Sequence, residues 1–273
     1  MTDDSTVDYR HVTGVQKETW GKGDFNVIAL TTMEIGEDLV RAVDPLAGQK
    51  VLDVACGSGN VALIAARRHC DVLGIDYVPE LIDRAKMRAD SEGTFADFQV
   101  GDAQELPFSD ESFDVVFSVF GVMFAPNQEK TANEIIRVCK KGSIIAMANW
   151  MPERFGGDFF RAITKHVPPP PGLKPPVRWG MEDGLKELFG NKIKIIRNEK
   201  KRSYAYFRSI EHAVELFSEY FGPIVRALEA AKDEQAREAI KKDVAEVFSK
   251  YNKASDGTAK LEYEYMQTIA KRT

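Results

Sequence analysis

Three acidic residues stand beside glycines in the first half of the chain, each where an apolar run ends. Asp53 comes shortly before Gly57 and Gly59, Asp76 ends the next apolar run, and Asp102 follows a third glycine. Glycines allow left-handed backbone angles and let a ligand lie close to the main chain, and the first amides of a following helix point at that ligand. A polar or anionic group is therefore expected on the turn.

These residues need strands and helices to bring them together. Residues 51–60 change from a short apolar strand to a small-residue turn, and residues 61–66 form the start of a helix. Residues 71–76 are a second apolar strand, so Asp76 stands seventeen residues after Gly59. That spacing is close to the roughly 20 expected for an acidic residue that receives ribose hydroxyls in a Rossmann-like unit. The alternative is a helix cap or a solvated strand end.

The glycine turn and the acidic residues before and after it resemble the corresponding motifs of the class I S-adenosylmethionine-dependent methyltransferases. The fingerprint reads Asp-x-Ala-x-Gly-x-Gly, with Ala55 where the family often has its first glycine. The resemblance implies S-adenosylmethionine as cofactor and S-adenosylhomocysteine as product. It also implies that Asp53 holds the amino group of the methionine moiety, and that Asp102 and Ala103 contact adenine. An Asp in a tight turn can instead serve only to bind backbone amides.

The expected cofactor site combines the turn, the acidic strand ends and the segments beside them. The segment from Trp20 to Phe25 holds two glycines between aromatics, so it is either a mobile flap over the ligand or a surface turn pinned by Trp20. The cofactor-binding residues are predicted to be Trp20, Phe25, Asp53, Ala55, Cys56, Gly57, Ser58, Gly59, Asn60, Asp76, Tyr77, Gly101, Asp102, Ala103, Gln104, Ser118, Val119 and Phe120.

Strands that alternate with helices predict an α/β fold with a doubly wound, mainly parallel sheet and helices on both faces. Further strands are expected at residues 95–100, 112–120 and 143–150, with helices at 79–90 and 128–140. The resemblance implies a seven-stranded Rossmann-like methyltransferase fold whose seventh, antiparallel strand lies near the C-terminus. The ligand should lie outside the carboxyl ends of the strands, at the switch point beside the first one.

A single domain spanning 1–273 is expected, with a helical cap at 1–48, a cofactor-binding core at 49–150 and acceptor-side insertions and C-terminal strands at 151–273. The cap should hold helices at 12–19 and 27–43. A proline-rich spacer at 167–172 interrupts the last third. A strand is expected at 192–197, and residues 202–207 either extend it or pair nearby. Helices across 210–252 with a break at Gly222-Pro223, and a final strand at 261–269, follow.

Composition excludes several function classes. The net charge of -5 gives no global attraction to nucleic acid or to an anionic membrane, and no apolar run approaches the roughly 20 residues of a membrane span. Three cysteines without a Cys-x-x-Cys pair, and only four histidines, argue against a metal site. The acidic, polar N-terminus does not resemble a targeting signal, so a cytoplasmic location is expected.

The sequence most resembles the branch of the family with the ubiquinone and menaquinone C-methyltransferases and many small-molecule methyltransferases. We therefore predict methyl transfer to a small-molecule acceptor, mainly by proximity and orientation. No catalytic residue is assigned, although His166, Asp24 and terminal tyrosines are possible bases. One alternative is a nicotinamide-dependent oxidoreductase, which lacks support because Ala62 interrupts the Gly-x-Gly-x-x-Gly pattern. Another is a non-catalytic protein that binds S-adenosylmethionine.

The acceptor is expected between the cap and two insertions, at 151–190 and 209–255. The loop after the fourth strand faces the transferred methyl in the family, which makes its side chains candidate walls: Ser118, Phe120, Met123 and Phe124. The insertions supply aromatic surface for such a pocket, with the alternative that these rings only form a core. The residues are Phe155, Phe159, Phe160, Trp179, Phe217, Tyr220 and Phe221.

Overall fold

Seven strands form one sheet in the computed structural model, which describes residues 7–273. The strands are β1 (Lys50–Val54), β2 (Asp71–Asp76), β3 (Asp97–Val100), β4 (Phe113–Val119), β5 (Cys139–Trp150), β6 (Ile193–Phe207) and β7 (Ala259–Arg272). Their spatial order is β3-β2-β1-β4-β5-β7-β6. Strands β1 to β5 pair in parallel, and β7 runs antiparallel to both β5 and β6. The doubly wound seven-stranded prediction is confirmed.

Helices cover both faces of the sheet. They are α1 (Tyr9–Trp20), α2 (Phe25–Ala29), α3 (Met33–Val43), α4 (Asn60–Ala66), α5 (Pro79–Glu92), α6 (Gln128–Val138), α7 (Phe155–Thr164), α8 (Glu182–Phe189), α9 (Ile210–Tyr220), α10 (Gly222–Ala230) and α11 (Glu234–Tyr251). Neighbouring residues of β1 pack on opposite faces of the sheet. Val51 lies in the hydrophobic cluster with α3 and α4, and Leu52 lies in the hydrophobic cluster with α6. Alternation along a strand produces this division.

Several predicted elements have different boundaries in the structure; β5, for example, begins at Cys139 rather than at residue 143. The helix expected at 27–43 is divided into α2, a 3₁₀ turn at Leu30–Thr32 and α3. The hydroxyls of Thr31 and Thr32 donate to the carbonyls of Ile28 and Ala29, over 2.7 and 3.0 Å, which tightens the backbone there. The helix expected to reach residue 140 ends at Val138, because β5 begins at once and pairs with β4.

Residues 202–207 extend the strand expected at 192–197, which is one of the two outcomes that the sequence left open, so both segments belong to one continuous strand, β6. Its middle is polar and lacked a strand signal in the sequence, but β7 offers a hydrogen-bonding partner along nearly its whole length. Pairing therefore overrides the local preference. Among residues 7–273, no helix combines the length and apolar character that crossing a bilayer requires.

The N-terminal helix packs tightly on α10. A Cβ added at Gly222 would come within 2.0 Å of the Thr19 carbonyl oxygen, so the two backbones are close enough to require glycine. Arg226 donates to Thr19 Oγ1 over 2.6 Å and to the Val15 carbonyl over 3.1 Å. These contacts fix the end of α1, which places Trp20 over the carboxyl ends of the central strands.

Candidate functional site

The turn after β1 forms the floor of the site. Ala55, Gly57 and Gly59 have φ values of 54°, 54° and 84°, all in the left-handed region. A residue with a Cβ is strained there by roughly 1–2 kcal/mol. Gly121 makes room for the Ala55 side chain, because a Cβ at 121 would come within 2.7 Å of the Ala55 Cβ. The alanine variant of the fingerprint thus keeps a left-handed backbone at this position.

Asp76 fastens the turn to the end of β2. Its Oδ2 accepts the Gly57 amide over 2.9 Å, and its Oδ1 accepts the Val78 amide over 3.0 Å. Burial raises the pKa of Asp76 to about 6, against the lowering effect of these backbone bonds. Each carboxylate oxygen retains a second lone pair with which it can accept a further hydrogen bond.

Asp53 is buried beneath the same turn. Its Oδ2 accepts the Ala62 amide over 3.0 Å, at the start of α4. Burial, with a smaller contribution from the nearby Asp76, raises the pKa of Asp53 to about 8, against the lowering effect of the Ala62 amide. No ion pair within residues 7–273 involves Asp53, so its negative charge is favoured only when a cationic ligand group is present.

Asp102 is held by the side chain of Gln104. The Gln104 amide nitrogen Nε2 donates to Asp102 Oδ2 over 3.0 Å and to Thr13 Oγ1 over 2.9 Å, while its Oε1 accepts the Asn127 amide. Gln104 is buried, and these bonds connect α1, the loop after β3 and the start of α6. The wall beside Asp102 is therefore fixed from three directions.

A single cavity runs from this polar floor to a cluster of aromatic rings. Phe120 has a φ of 50° and stacks on Trp150 with centroids 3.9 Å apart. Trp20 contacts the rings of Phe25, Phe124 and Phe221 at 5.0–5.5 Å. Twelve aromatic residues line the cavity: Trp20, Phe25, Tyr77, Phe120, Phe124, Trp150, Phe155, Phe159, Phe160, Phe217, Phe221 and Tyr263.

The structure brings together the predicted cofactor residues except for two, which lie outside the cavity lining. Gly59 lies behind the turn, where a Cβ would come within 3.0 Å of the Phe98 ring. Ser118 Oγ donates to the Val54 carbonyl over 2.8 Å and accepts the Val122 amide over 3.1 Å. Both residues therefore support the turn from below.

The predicted acceptor walls divide in the same way. Phe124 and the phenylalanines of α7 and α9 line the cavity with Phe221, whereas Met123, Trp179 and Tyr220 do not. Trp179 packs edge-on against Phe189, at 5.6 Å, in the core beneath α8. Sequence reasoning missed Trp150, and it included Tyr263 only among the terminal tyrosines considered as bases, not as a wall of the cavity. Trp150 ends a parallel strand and could have been found from that position, but the place of Tyr263 depends on the pairing register of β7.

Of the side chains considered as bases, His166 and Asp24 lie outside the cavity lining, whereas Tyr263, one of the terminal tyrosines, belongs to it. His166 Nε2 is 2.7 Å from Asp243 Oδ2, outside the cavity lining. Asp24 caps α2 and pairs with Arg84 over 2.6 Å. Among residues 7–273, no group of three or more acidic, cysteine or histidine side chains is arranged to hold a metal ion.

Comparison with known proteins agrees with this fold. A family model for a methyltransferase domain matches residues 52–147. An uncharacterized protein of Mycobacterium tuberculosis is 34% identical over 251 residues, which cover 90% of this chain and 91% of that protein. A demethylmenaquinone methyltransferase of Deinococcus radiodurans is 33% identical over 125 residues, 44% of this chain and 52% of that enzyme.

A solved structure of geranyl diphosphate methyltransferase in complex with S-adenosylmethionine superposes with a TM-score of 0.53 at 15% identity, covering 88% of this chain and 85% of that chain. A parallel sheet with a glycine turn after its first strand defines a nucleotide-binding α/β enzyme. The chain belongs to the class I S-adenosylmethionine-dependent methyltransferases. The nicotinamide-dependent alternative is thereby set aside.

Proposed function

We propose that this enzyme binds S-adenosylmethionine over the turn after β1 and transfers its methyl group to a small molecule held among the aromatic rings. One observation carries the proposal: a single cavity joins the three aspartates at the strand ends to the aromatic rings. A cofactor on the aspartates would direct its sulfonium toward the rings, where an acceptor can meet it.

The residues of the floor fit the cofactor. Asp53 is a buried carboxyl without a cationic partner among the described ion pairs, so it suits the amino group of the methionine moiety. Asp76 has capacity for ribose hydroxyls beyond its two backbone bonds. Asp102 and Ala103 line the cavity on the side where adenine would lie. These assignments agree with the family pattern.

Orientation supplies most of the catalysis in this proposal. When bound, S-adenosylmethionine supplies an activated methyl group on a positively charged sulfur. The fixed rings of Phe120 and Trp150 limit where an acceptor can lie, and Trp20 with Phe25 excludes water from above the turn. Alignment of two reactants can lower a barrier by several kcal/mol.

No side chain of the cavity is set up as a strong base. Burial raises the pKa of Tyr263 and raises the pKa of Cys56 well above its ordinary value, so both stay protonated. Asp53 and Asp76 are committed to the turn and the cofactor. The acceptor atom should therefore be a nucleophile that needs little help in losing a proton.

A small-molecule acceptor suits the enclosure of the rings beneath α1, α7 and α9. The names of the two methyltransferases compared above point the same way, since demethylmenaquinone and geranyl diphosphate are both small molecules.

The test is a labelled-methyl assay with cell extract divided by ultrafiltration into small molecules and macromolecules. Label should enter the small-molecule fraction only. Asp76→Asn should abolish it by weakening cofactor binding, and Asp90→Asn, on the exposed face of α5, should not change it. Label in protein or RNA would refute the small-molecule acceptor. Tight binding of S-adenosylmethionine with no transfer to either fraction would instead support a non-catalytic binding protein.

A further inference from the structure

The aromatic end of the cavity carries no formal charge. The ionisable carboxylates that line the cavity are Asp53, Asp76 and Asp102, and all three lie at strand ends on the opposite side. Among residues 7–273, no lysine, arginine, histidine or glutamate belongs to the lining. The lining hydroxyls of this end come from Thr31, Thr32 and Tyr263, all neutral.

The charged side chains of α7 are paired outside the cavity lining. On α7, Arg161 pairs with Asp158, and Lys165 pairs with Asp243 over 2.7 Å. Asp158 also accepts from Lys250 and from the Tyr251 hydroxyl, over 2.5 and 2.7 Å. Because Asp158 lies in the first turn of α7, it offsets the positive end of that helix dipole.

A charged acceptor would be unfavourable at this end. An anionic group away from the sulfonium would lose its water without gaining a cationic side chain, because no lysine, arginine or histidine in the described part of the chain lines the cavity. Burying an unpaired ion is very unfavourable. A cationic acceptor would face the positive sulfonium across the methyl group, with no lining carboxylate beside it. Only a neutral acceptor avoids both penalties.

The shape and chemistry of the walls favour a flat ring. Phe160 stands edge-on to both Phe124 and Phe159, with centroids 5.1 and 5.7 Å apart, and Phe159 stands edge-on to Phe217 at 5.5 Å. An aromatic guest gains offset and edge-to-face contacts with such walls, beyond those from area alone. A flexible aliphatic guest gains only the area.

We infer that the methyl acceptor of this enzyme is an uncharged aromatic molecule, without a carboxylate, phosphate or ammonium group. The inference rests on the proposed function, because it describes what the acceptor end of the same cavity recognises. It excludes amino acids, fatty acids and phosphorylated metabolites as acceptors.

The first test compares two ligands of equal ring size. Binding of 2-naphthol and of 2-naphthoate is measured by equilibrium dialysis at neutral pH, with the enzyme saturated by S-adenosylhomocysteine. Naphthol should bind at least about tenfold more tightly, because naphthoate would have to bury an unpaired charge. Equal binding, tighter binding of naphthoate or binding of neither would overturn the inference.

A matched pair of variants locates the binding. Phe159 and Phe248 stack on each other with centroids 5.7 Å apart, but only Phe159 lines the cavity. Phe159→Leu should weaken naphthol binding about fivefold or more, since aromatic pairs contribute up to about 1.5 kcal/mol. Phe248→Leu should change it less than about twofold. Retained affinity for S-adenosylhomocysteine shows that each variant is folded, and equal effects of the two changes would count against the inference.

The second test uses the natural acceptor. The small-molecule fraction of extract is passed over anion and cation exchangers at neutral pH before the labelled-methyl reaction. Label should form with the unretained fraction and should extract into an organic solvent. Label with a retained fraction would overturn the uncharged acceptor while the proposed function stands. Label in no fraction would refute the proposed function. The comparison of 2-naphthol with 2-naphthoate would then decide whether the cavity prefers neutral ligands.

Discussion

Changing Asp53 to Asn should alter how stability depends on pH. The native pKa of Asp53 is raised by burial to about 8, from an ordinary value of 3.8. Between these values the folded protein holds a proton that the unfolded chain has released. Stability therefore falls as pH rises, with a slope of about 1.4 kcal/mol per pH unit for one proton. Asparagine keeps an oxygen for the Ala62 amide but has no proton to lose.

The expected difference is large enough to measure. From pH 5 to pH 7, the free energy of unfolding of the wild-type enzyme without cofactor should fall by about 2.5 kcal/mol more than that of Asp53→Asn. At roughly 2–4 °C per kcal/mol for a chain of this size, the two melting temperatures should diverge by about 5–10 °C. Urea unfolding at pH 5, 6 and 7 gives the same comparison as free energies.

Asp114 provides a control because its pKa is shifted in the opposite direction to that of Asp53. Burial alone would raise its pKa, but the hydrogen bond from Lys140 and that from the Lys50 amide lower the pKa of Asp114. Its stabilising effect is complete above its ordinary pKa and is lost only in stronger acid. Asp114→Asn should therefore destabilise equally at pH 5 and pH 7. If the stability of Asp53→Asn also changed with pH as that of the wild-type enzyme does, Asp53 would be ionised in the free enzyme, which would contradict the prediction.

The same protonation predicts what accompanies cofactor binding. A cationic amino group beside Asp53 favours the carboxylate, so S-adenosylmethionine should displace about one proton at pH 7. Calorimetry in two buffers with different ionisation enthalpies measures that number. Asp53→Asn should bind more weakly and release no proton from this site, and an unchanged release would place the proton on another group.

Three further predictions concern the floor, the cap and the surface. Asp76→Asn should weaken S-adenosylmethionine binding by roughly 1–3 kcal/mol in calorimetry, because it impairs hydrogen bonds to ribose; unchanged affinity would contradict this. Gly222→Ala should lower the melting temperature because its Cβ would come within 2.0 Å of the Thr19 carbonyl oxygen, whereas Gly14→Ala meets nothing within 4 Å and should stabilise α1 slightly. His166→Ala should leave methyl transfer unchanged in the labelled assay, since it lies outside the cavity lining.

The sequence by itself determined the cofactor end of the site. The apolar run into Asp53, the glycines and the helix-forming run after them are consecutive, so local preferences build the strand, turn and helix together. Asp76 and Asp102 follow as the ends of neighbouring parallel strands, which a doubly wound sheet gathers along one edge. Such short-range rules need no knowledge of distant contacts.

Only the tertiary structure decided the acceptor end. Met123 and Phe124 are adjacent in one 3₁₀ turn, yet Met123 is buried in the core while Phe124 lines the cavity. Tyr263 reaches the cavity through the antiparallel register of β7, and that pairing also turns the polar middle of β6 into strand. These outcomes depend on which surfaces meet between segments that are far apart along the chain. Hydrophobic periodicity shows that a residue is buried, but tertiary packing decides which surface that residue contacts.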